Sequence, residues 1–302
     1  MPPPMRNFAD RLVDAIREKQ SRVVVGLDPR LESLPESFRR GTERDIEKAG
    51  KALLEFNAAI IEIVKPHAVA VKPQIAFYEK LGPYGVVAYF ATCKHARDQG
   101  LLVIGDVKRG DVPDTAKAYA DAHFVAFPAD AITVNPFFST DGIEPFVQTA
   151  KKVGGGLFVL VKTSNPRSGE IQDLPVDGKP LYLHLAAKVA EWGASMKGGS
   201  GYSAVGAVVG ATHPAQDAEI RAALPGAFFL VPGYGAQGAT AADLKACFNA
   251  DGLGAVVNSS RGIITAWEKE AYKGLPWEKA VEKAVADMKA DINQAVGQIP
   301  SA

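Results

Sequence analysis

Leu101-Leu-Val-Ile-Gly-Asp-Val-Lys-Arg-Gly-Asp111 is an apolar run that ends in a charged cluster. The apolar part is typical of a buried strand in a parallel sheet. Side chains two apart on a strand share a face, so Asp106 and Lys108 are expected to point the same way. Asp111 follows Gly110, on the turn or at the start of the next helix. Such a cluster is costly to bury unless the charges neutralise one another or face a ligand, so it predicts a site at a strand end.

The same order of a short apolar run, a turn and a longer amphipathic segment recurs along the chain. The predicted strands are Val23–Leu27, Ala68–Lys72, Leu101–Asp106, Ala131–Val134, Leu157–Lys162, Ala204–Val209, Phe228–Val231 and Gly254–Asn258. The predicted helices are Phe8–Lys19, Asp45–Val64, Tyr84–Gln99, Thr115–His123, Gly142–Lys152, Leu181–Met196, Ala241–Phe248 and Trp277–Val296. Eight such units predict an α/β fold, a closed (β/α)8 TIM barrel with an extra N-terminal helix, over residues 1–302 as a single domain. The segments 164–179 and 198–201 are expected to be loops, and the second has no assignable role.

Polar residues follow most of the predicted strands, at the barrel end where enzymes of this fold place their chemistry. These residues are Asp28, Lys72, Asp106, Lys108, Asn135, Lys162, Thr163, Ser164, Thr212, His213, the segment 232–237, Ser259, Ser260 and Arg261. A purely structural barrel has no need of charges at so many strand ends. The pattern therefore predicts an enzyme.

Two of these segments predict a phosphate site. Pro232-Gly-Tyr-Gly-Ala-Gln-Gly238 is a glycine-rich turn that brings backbone N–H groups close to an anion. Asn258-Ser-Ser-Arg-Gly262 adds a guanidinium at the neighbouring strand end. Barrels frequently bind phosphate after strands seven and eight, which is where both segments lie.

Composition excludes several other classes of function. The 302 residues include 34 basic and 34 acidic ones, which argues against binding to nucleic acid or a membrane surface through bulk charge. The amino terminus lacks the apolar stretch of a secretory signal, and no apolar run approaches the roughly 18 residues of a membrane span. Two cysteines, Cys93 and Cys247, are too few for a disulfide framework, and no histidine spacing indicates a metal site. We expect a cytoplasmic protein without a metal.

Seven stretches together resemble the orotidine 5′-phosphate decarboxylase family, specifically its longer bacterial (type 2) form. The stretches are Val25-Gly-Leu-Asp-Pro29, Val71-Lys-Pro-Gln-Ile-Ala-Phe77, Gly105-Asp-Val-Lys-Arg-Gly-Asp111, Thr133-Val-Asn-Pro-Phe-Phe138, Lys162-Thr-Ser-Asn-Pro166, Pro232-Gly-Tyr-Gly-Ala-Gln237 and Asn258-Ser-Ser-Arg-Gly262. The D-x-K-x-x-D spacing alone is shared by a wider superfamily that includes decarboxylases of keto-sugar phosphates. Its combination with Lys72 and the other stretches is specific.

The resemblance implies a reaction, a partner and a set of site residues. It implies decarboxylation of orotidine 5′-monophosphate to uridine 5′-monophosphate, the last step of de novo pyrimidine nucleotide synthesis, with no cofactor. It implies a homodimer in which Asp111 and Thr115 reach the neighbouring subunit's site. The implied catalytic residues are Lys72, Asp106, Lys108 and Asp111, with Lys108 as the proton donor to C6. The implied substrate-binding residues are Asp28 for a ribose hydroxyl, Ser164 for the pyrimidine, Gln237 and Arg261 for the phosphate, and also Thr115 and Pro232.

Three alternatives remain open at this point. A keto-sugar phosphate decarboxylase or synthase on the same scaffold would typically use a divalent metal. A Schiff-base aldolase would use Lys108 or Lys162 as its amine. A catalytically silent barrel would bind nucleotides without releasing carbon dioxide.

Overall fold

Eight parallel strands close into a barrel in the computed structural model, which describes residues 6–211, 213–235 and 240–300. In chain order the barrel strands are β1 (Val23–Leu27), β2 (Ala70–Pro73), β3 (Leu102–Arg109), β4 (Ala131–Val134), β5 (Gly156–Lys162), β6 (Ser203–Val209), β7 (Ala227–Pro232) and β8 (Ala255–Ser259). Each strand pairs with its neighbours in sequence, and β1 pairs with β8 to close the ring. The predicted (β/α)8 fold is confirmed.

The helices cover the outside of this ring. They are α1 (Phe8–Lys19), α2 (Glu36–Arg39), α3 (Ile46–Val64), α4 (Ala76–Glu79), α5 (Gly82–Asp98), α6 (Pro113–Asp121), α7 (Ser139–Val153), α8 (Gly169–Gln172), α9 (Leu181–Gly193), α10 (Pro214–Ala223), α11 (Arg261–Ile264) and α12 (Trp277–Val296). The strands are almost entirely buried because they pack on both faces, which explains their continuous Val, Ile, Leu and Ala content. Within the described ranges, no helix combines the length and the apolar character that a membrane span requires.

Two sequence-based predictions about secondary structure are wrong. The segment 241–248, expected to be an α-helix, forms only a short 3-10 helix at Asp243–Cys247, because an α-helix of eight residues closes few backbone hydrogen bonds to offset its nucleation cost. The segment 164–179, expected to be a loop, contains α8 and one strand of a small hairpin whose strands are Pro175–Val176 and Lys179–Pro180. Gly178 has a φ of +75°, as a tight hairpin turn requires.

The extra helix α1 and the glycine-rich segment 198–201 belong together at the amino-terminal end of the barrel. Phe8 packs edge-on against Phe158, with ring centroids 6.0 Å apart. The carboxylate of Asp10 accepts hydrogen bonds from the backbone N–H groups of Gly199 and Ser200, at 2.9 and 2.8 Å. A side chain on Gly198 would collide with that carboxylate. The segment 198–201, which had no predicted role, therefore ties α1 to the barrel.

Candidate active site

Three charged side chains meet at the carboxyl ends of β2 and β3. Lys72 donates a hydrogen bond from Nζ to Asp106 Oδ2 at 2.6 Å, and Lys108 donates from Nζ to Asp106 Oδ1 at 2.5 Å. Lys72 and Asp106 are only 4% and 7% exposed, whereas the side chain of Lys108 is 44% exposed. The carboxylate is thus held between one buried and one accessible ammonium group.

The ion pairs favour the charged forms of Asp106 and Lys72. Burial alone would raise the pKa of Asp106, but the charges of Lys72 and Lys108 hold that pKa well below the ordinary aspartate value. Burial alone would lower the pKa of Lys72, but the charges of Asp106 and Asp28 outweigh it, and the pKa lies above the ordinary lysine value. Asp106 is therefore ionised and Lys72 is protonated at neutral pH.

Lys108 reaches this position through a distorted strand. Its φ is +44°, a conformation that side-chain-bearing residues rarely adopt, and the pairing of β3 with β4 shifts register between Gly105 and Arg109. The hydroxyl oxygen of Thr133, on β4, accepts from the backbone N–H groups of Val107 and Lys108, each at 3.0 Å. The same hydroxyl donates to Asp106 Oδ1 at 3.0 Å. Asp106 and Lys108 do point the same way, as predicted. The hydrogen bonds of Thr133 hold them in this orientation, whereas the prediction assumed the regular pleat of a strand.

The cluster forms one side of a cavity of about 390 Å³ at the barrel mouth. The polar lining consists of Lys72, Asp106, Lys108, Thr133, Thr163, Ser164 and Asn165, and the apolar lining of Leu160, Val208, Leu230 and Pro232. A cavity of this size with a few converging polar groups is typical of a small-molecule site. The predicted residues Ser164 and Pro232 both line it.

Asp28 faces the cluster from the end of β1. The carboxylate is half-buried, its charge acts on the pKa of Lys72, and its Oδ1 atom has no hydrogen-bond partner within the described ranges. A buried carboxylate oxygen without a partner is unusual, and a ligand hydroxyl would satisfy it. This geometry fits the expected contact with a ribose hydroxyl.

Asp111 and Thr115 do not join the cluster within the chain. Asp111 is half-buried, and its carboxylate accepts from the backbone N–H of Val112 at 2.8 Å. Thr115 is exposed on α6. Neither residue lines the cavity that contains Lys108. The single subunit therefore leaves Lys108 with one carboxylate neighbour.

A second cavity, of about 430 Å³, opens beside the ends of β7 and β8, where a phosphate site is predicted. Its lining includes Gly235, Ser259, Gly262 and Lys269. Arg261 is exposed at the start of α11, next to Gly262. The predicted phosphate ligand Gln237 lies outside the described residues.

The position of Lys162 reflects an irregularity in the strand pairing. It ends β5, but the pairing of β5 with β6 shifts register between Leu160 and Lys162. Leu160 lines the cavity, whereas Lys162 lies 5.7 Å from the centre of the Tyr182 ring on α9 and is not among the cavity residues. Lys162 thus ends its strand, as predicted, but does not line the cavity.

Comparison with known proteins assigns the family. A family model described as "Orotidine 5'-phosphate decarboxylase / HUMPS family" matches residues 21–274. The chain belongs to this family. An orotidine 5′-phosphate decarboxylase of Rhodopirellula baltica is 44% identical over 300 residues, which cover 95% of this chain and 99% of the relative. One of Caldicellulosiruptor saccharolyticus is 40% identical over 306 residues, covering 97% and 100%.

A solved structure agrees in fold. The Leishmania donovani OMP decarboxylase superposes with a TM-score of 0.77 at 32% identity, covering 96% of this chain and 98% of that one. The bacterial orotidine 5′-phosphate decarboxylases match over nearly their entire length. The resemblance read from the seven sequence stretches is thereby confirmed.

Sequence reasoning missed two side chains of the site. Thr133 was noted only as part of a family stretch. Its role becomes clear from the pairing of β3 with β4, which brings the Thr133 hydroxyl next to Asp106. Lys269 is far from the D-x-K motif in sequence and reaches the second cavity only because of the path of the chain after α11. No local pattern marks it.

Proposed function

We propose that Lys108 is the proton donor in the decarboxylation of orotidine 5′-monophosphate to uridine 5′-monophosphate. The observation that carries the proposal is the pair of hydrogen bonds that clamps Asp106 between Lys72 and Lys108 at the edge of the cavity. Lys108 is the accessible member of this array, so its ammonium group can meet a ligand. In this proposal the Lys108 ammonium group acts as both electrostatic stabiliser and proton donor.

The reaction can be written as one bond cleavage and one proton transfer. The bond between C6 of the pyrimidine and its carboxylate carbon breaks, carbon dioxide leaves, and the electron pair remains on C6. The Lys108 ammonium stabilises this carbanion, gives it one N–H proton and becomes a neutral amine, which solvent then protonates. Asp106 holds the ammonium in place, and Lys72 keeps Asp106 ionised. The protein thus provides preorganised positive charge where negative charge develops.

We further propose a homodimer in which Asp111 and Thr115 complete the neighbouring subunit's site. Large apolar side chains are exposed close to Asp111: Val112 is 52% exposed and Phe137 is 90% exposed. Phe138 also lies near the backbone of Asp111, since both approach the same point beside Gly142. Exposed apolar groups of this size are typical of an interface between subunits.

Binding of the remote phosphate would contribute orientation and binding energy to the reaction at C6. We propose that Arg261 and Gln237 bind the phosphate at the ends of β7 and β8. Gly262, which lines the cavity at this place, directly follows Arg261, and the lining also includes Lys269 and two acidic residues, Asp287 and Asp291. We also propose a cytoplasmic location, which agrees with two buried, unpaired thiols, Cys93 and Cys247.

One assay tests the reaction. Purified protein is mixed with orotidine 5′-monophosphate in the presence of a chelator, and the ultraviolet absorbance of the pyrimidine is followed. A fall in absorbance with formation of uridine 5′-monophosphate is expected. Binding of the nucleotide without turnover would favour the silent barrel instead, and borohydride trapping of a lysine with substrate would favour a Schiff-base enzyme.

A further inference from the structure

The loop between β5 and α9, residues 163–180, carries three of the cavity residues, Thr163, Ser164 and Asn165. Its first residue is hydrogen-bonded to its middle: Gln172 accepts from the backbone N–H of Thr163 at 2.9 Å and donates to the hydroxyl of Thr163 at 2.8 Å. Asp173 follows Gln172 directly. The loop therefore moves as a folded piece, and whatever holds Asp173 also holds Ser164 over the cavity.

Lys162, at the end of β5, holds Asp173 through an ion pair. Lys162 Nζ donates to Asp173 Oδ1 at 2.5 Å, and Gln216 Nε2 donates to the same oxygen at a longer 3.4 Å. The side chain of Lys162 is 1% exposed, whereas that of Asp173 is 38% exposed. An exposed ion pair would contribute little, but here the cation is buried and loses its partner if the loop moves away.

A second carboxylate lies in the wall behind this pair. Asp217, on α10, is fully buried, and neither of its oxygens has a hydrogen-bond partner within the described ranges. Burial raises the pKa of Asp217 to about 7, and the charge of Lys162 acts in the opposite direction. The other titratable groups near it are Tyr182 and Cys247, whose pKa values burial raises far above neutrality, so both are uncharged.

We propose that Lys162 is a positioning residue that latches the 163–180 loop closed over the substrate through Asp173, and that Asp217 becomes its counter-ion when the loop opens. This inference rests on the proposed function, because it takes Ser164 as a contact of the bound pyrimidine. In the closed form Lys162 pairs with Asp173 and Asp217 is protonated. In the open form Asp173 enters solvent, Asp217 releases its proton to solvent, and Lys162 keeps a carboxylate partner.

The latch makes loop closure depend on pH in a defined direction. Below the closed-form pKa of Asp217, opening releases a proton, so the open form gains population as the pH rises towards that pKa and levels off above it. The charged residues near this equilibrium are Lys162 from β5, Asp173 from the loop, and Asp217, Glu219 and the buried Arg221 from α10. Tyr182 of α9 is neutral, and its hydroxyl donates a hydrogen bond to the Glu219 carboxylate of α10 at 2.6 Å.

Hydrogen exchange without nucleotide tests the latch independently of catalysis. In Asp173→Asn we expect the amides of residues 163–175 to exchange roughly tenfold faster than in the wild type, while β5 and α9 are unchanged. Asp173 is half-exposed, so this variant keeps the core intact. Lys188→Met, which removes an exposed ion pair with Glu191 on α9, is the matched control and should leave the loop unchanged. Equal exchange in Asp173→Asn and the wild type would overturn the latch.

Kinetics with orotidine 5′-monophosphate test its consequence. We expect Asp173→Asn to raise KM about tenfold with kcat changed by less than about twofold, because only the population of the closed loop falls. Lys162→Met should have a similar effect, and the double variant should be no worse than either single one. Asp173→Glu should restore part of the affinity. Additive losses in the double variant would show that the two residues act separately, contrary to the latch.

The role of Asp217 has its own readout. In the wild type, KM should rise as the pH increases towards about 7 and level off above it, and in Asp217→Asn this rise should disappear while Asp173→Asn retains its higher KM throughout. An unchanged pH profile in Asp217→Asn would remove Asp217 from the latch. If the wild type shows no turnover, the proposed function fails, and the exchange experiment still decides whether the latch exists.

Discussion

At the scale of single residues, the site depends on one carboxylate with two ammonium partners and one hydroxyl partner. Asp106 accepts from Lys72, Lys108 and Thr133, and these bonds occupy both of its oxygens. Charge-assisted bonds of this kind are short and directional, so they fix the position of the accessible ammonium group. The positive φ of Lys108 is the conformational cost of that arrangement.

Thr133→Val tests whether the distorted strand matters for the reaction. The substitution keeps the shape of the side chain but leaves the backbone N–H groups of Val107 and Lys108 without their acceptor, at about 1–3 kcal/mol for each buried group. We expect kcat to fall at least about tenfold, KM to change little, and the melting temperature to drop. Thr149→Val on α7, whose hydroxyl makes only a 3.4 Å contact to Asp121, is the control. A variant with unchanged kcat would show that Thr133 does not position Lys108.

The sequence predicted the chemistry of these residues better than their geometry. Asp106 and Lys108 were recognisable because charges directly after an apolar run are costly without a ligand or partner. The period of a regular strand could not reveal the register shift in β3, because it depends on the Thr133 hydroxyl of another strand. A similar register shift in β5, between Leu160 and Lys162, could not be read from the sequence either, and Lys162 does not line the cavity.

At the scale of elements, strand ends bring the site together. The apolar strands were predicted with small errors at their ends, because continuous Val, Ile and Leu runs are a strong signal for buried parallel strands. The prediction of an α-helix for the segment 241–248 was wrong, because eight residues are so few that either an α-helix or a shorter 3-10 helix can form. The loops contain the most function and the least local signal, as the 163–180 loop shows.

Arg261→Ala tests the end of β8 as the phosphate site. A charge-assisted contact is worth about 1.5–3 kcal/mol, so kcat/KM for orotidine 5′-monophosphate should fall roughly 10- to 100-fold. The rate with orotidine, which lacks the phosphate, should stay the same. Lys273→Ala, which removes an exposed ion pair with Glu270, is the control. Equal losses on both substrates would show that Arg261 does not bind the phosphate.

At the scale of the whole molecule, the subunit is incomplete under the proposed mechanism. Asp111 lies outside the cavity of its own chain, beside the exposed Val112 and Phe137. A second subunit would cover these apolar groups and place a second carboxylate near Lys108. Burial of the exposed Phe137 in particular would contribute to association.

Mixing two inactive variants tests this arrangement. In a homodimer of either variant, Lys108→Ala or Asp111→Ala, every site lacks one of these two residues. In a mixed dimer one site carries both changes and the other carries neither, so a re-equilibrated equal mixture should recover about a quarter of the wild-type activity. The measurement is the decarboxylation rate after dissociation and reassociation. No recovery from a mixture that has formed mixed dimers would contradict a shared site.

The most direct test of the central claim is the turnover of Lys108→Ala with orotidine 5′-monophosphate, measured together with its affinity for uridine 5′-monophosphate. We predict that kcat falls at least about 1,000-fold, a loss of about 4 kcal/mol in transition-state stabilisation, in a protein that stays folded and still binds the product. Lys94→Ala, which removes an exposed pair with Asp98 on α5, should be unaffected. A Lys108→Ala variant with near-normal kcat would contradict the assignment of this ammonium group as the proton donor.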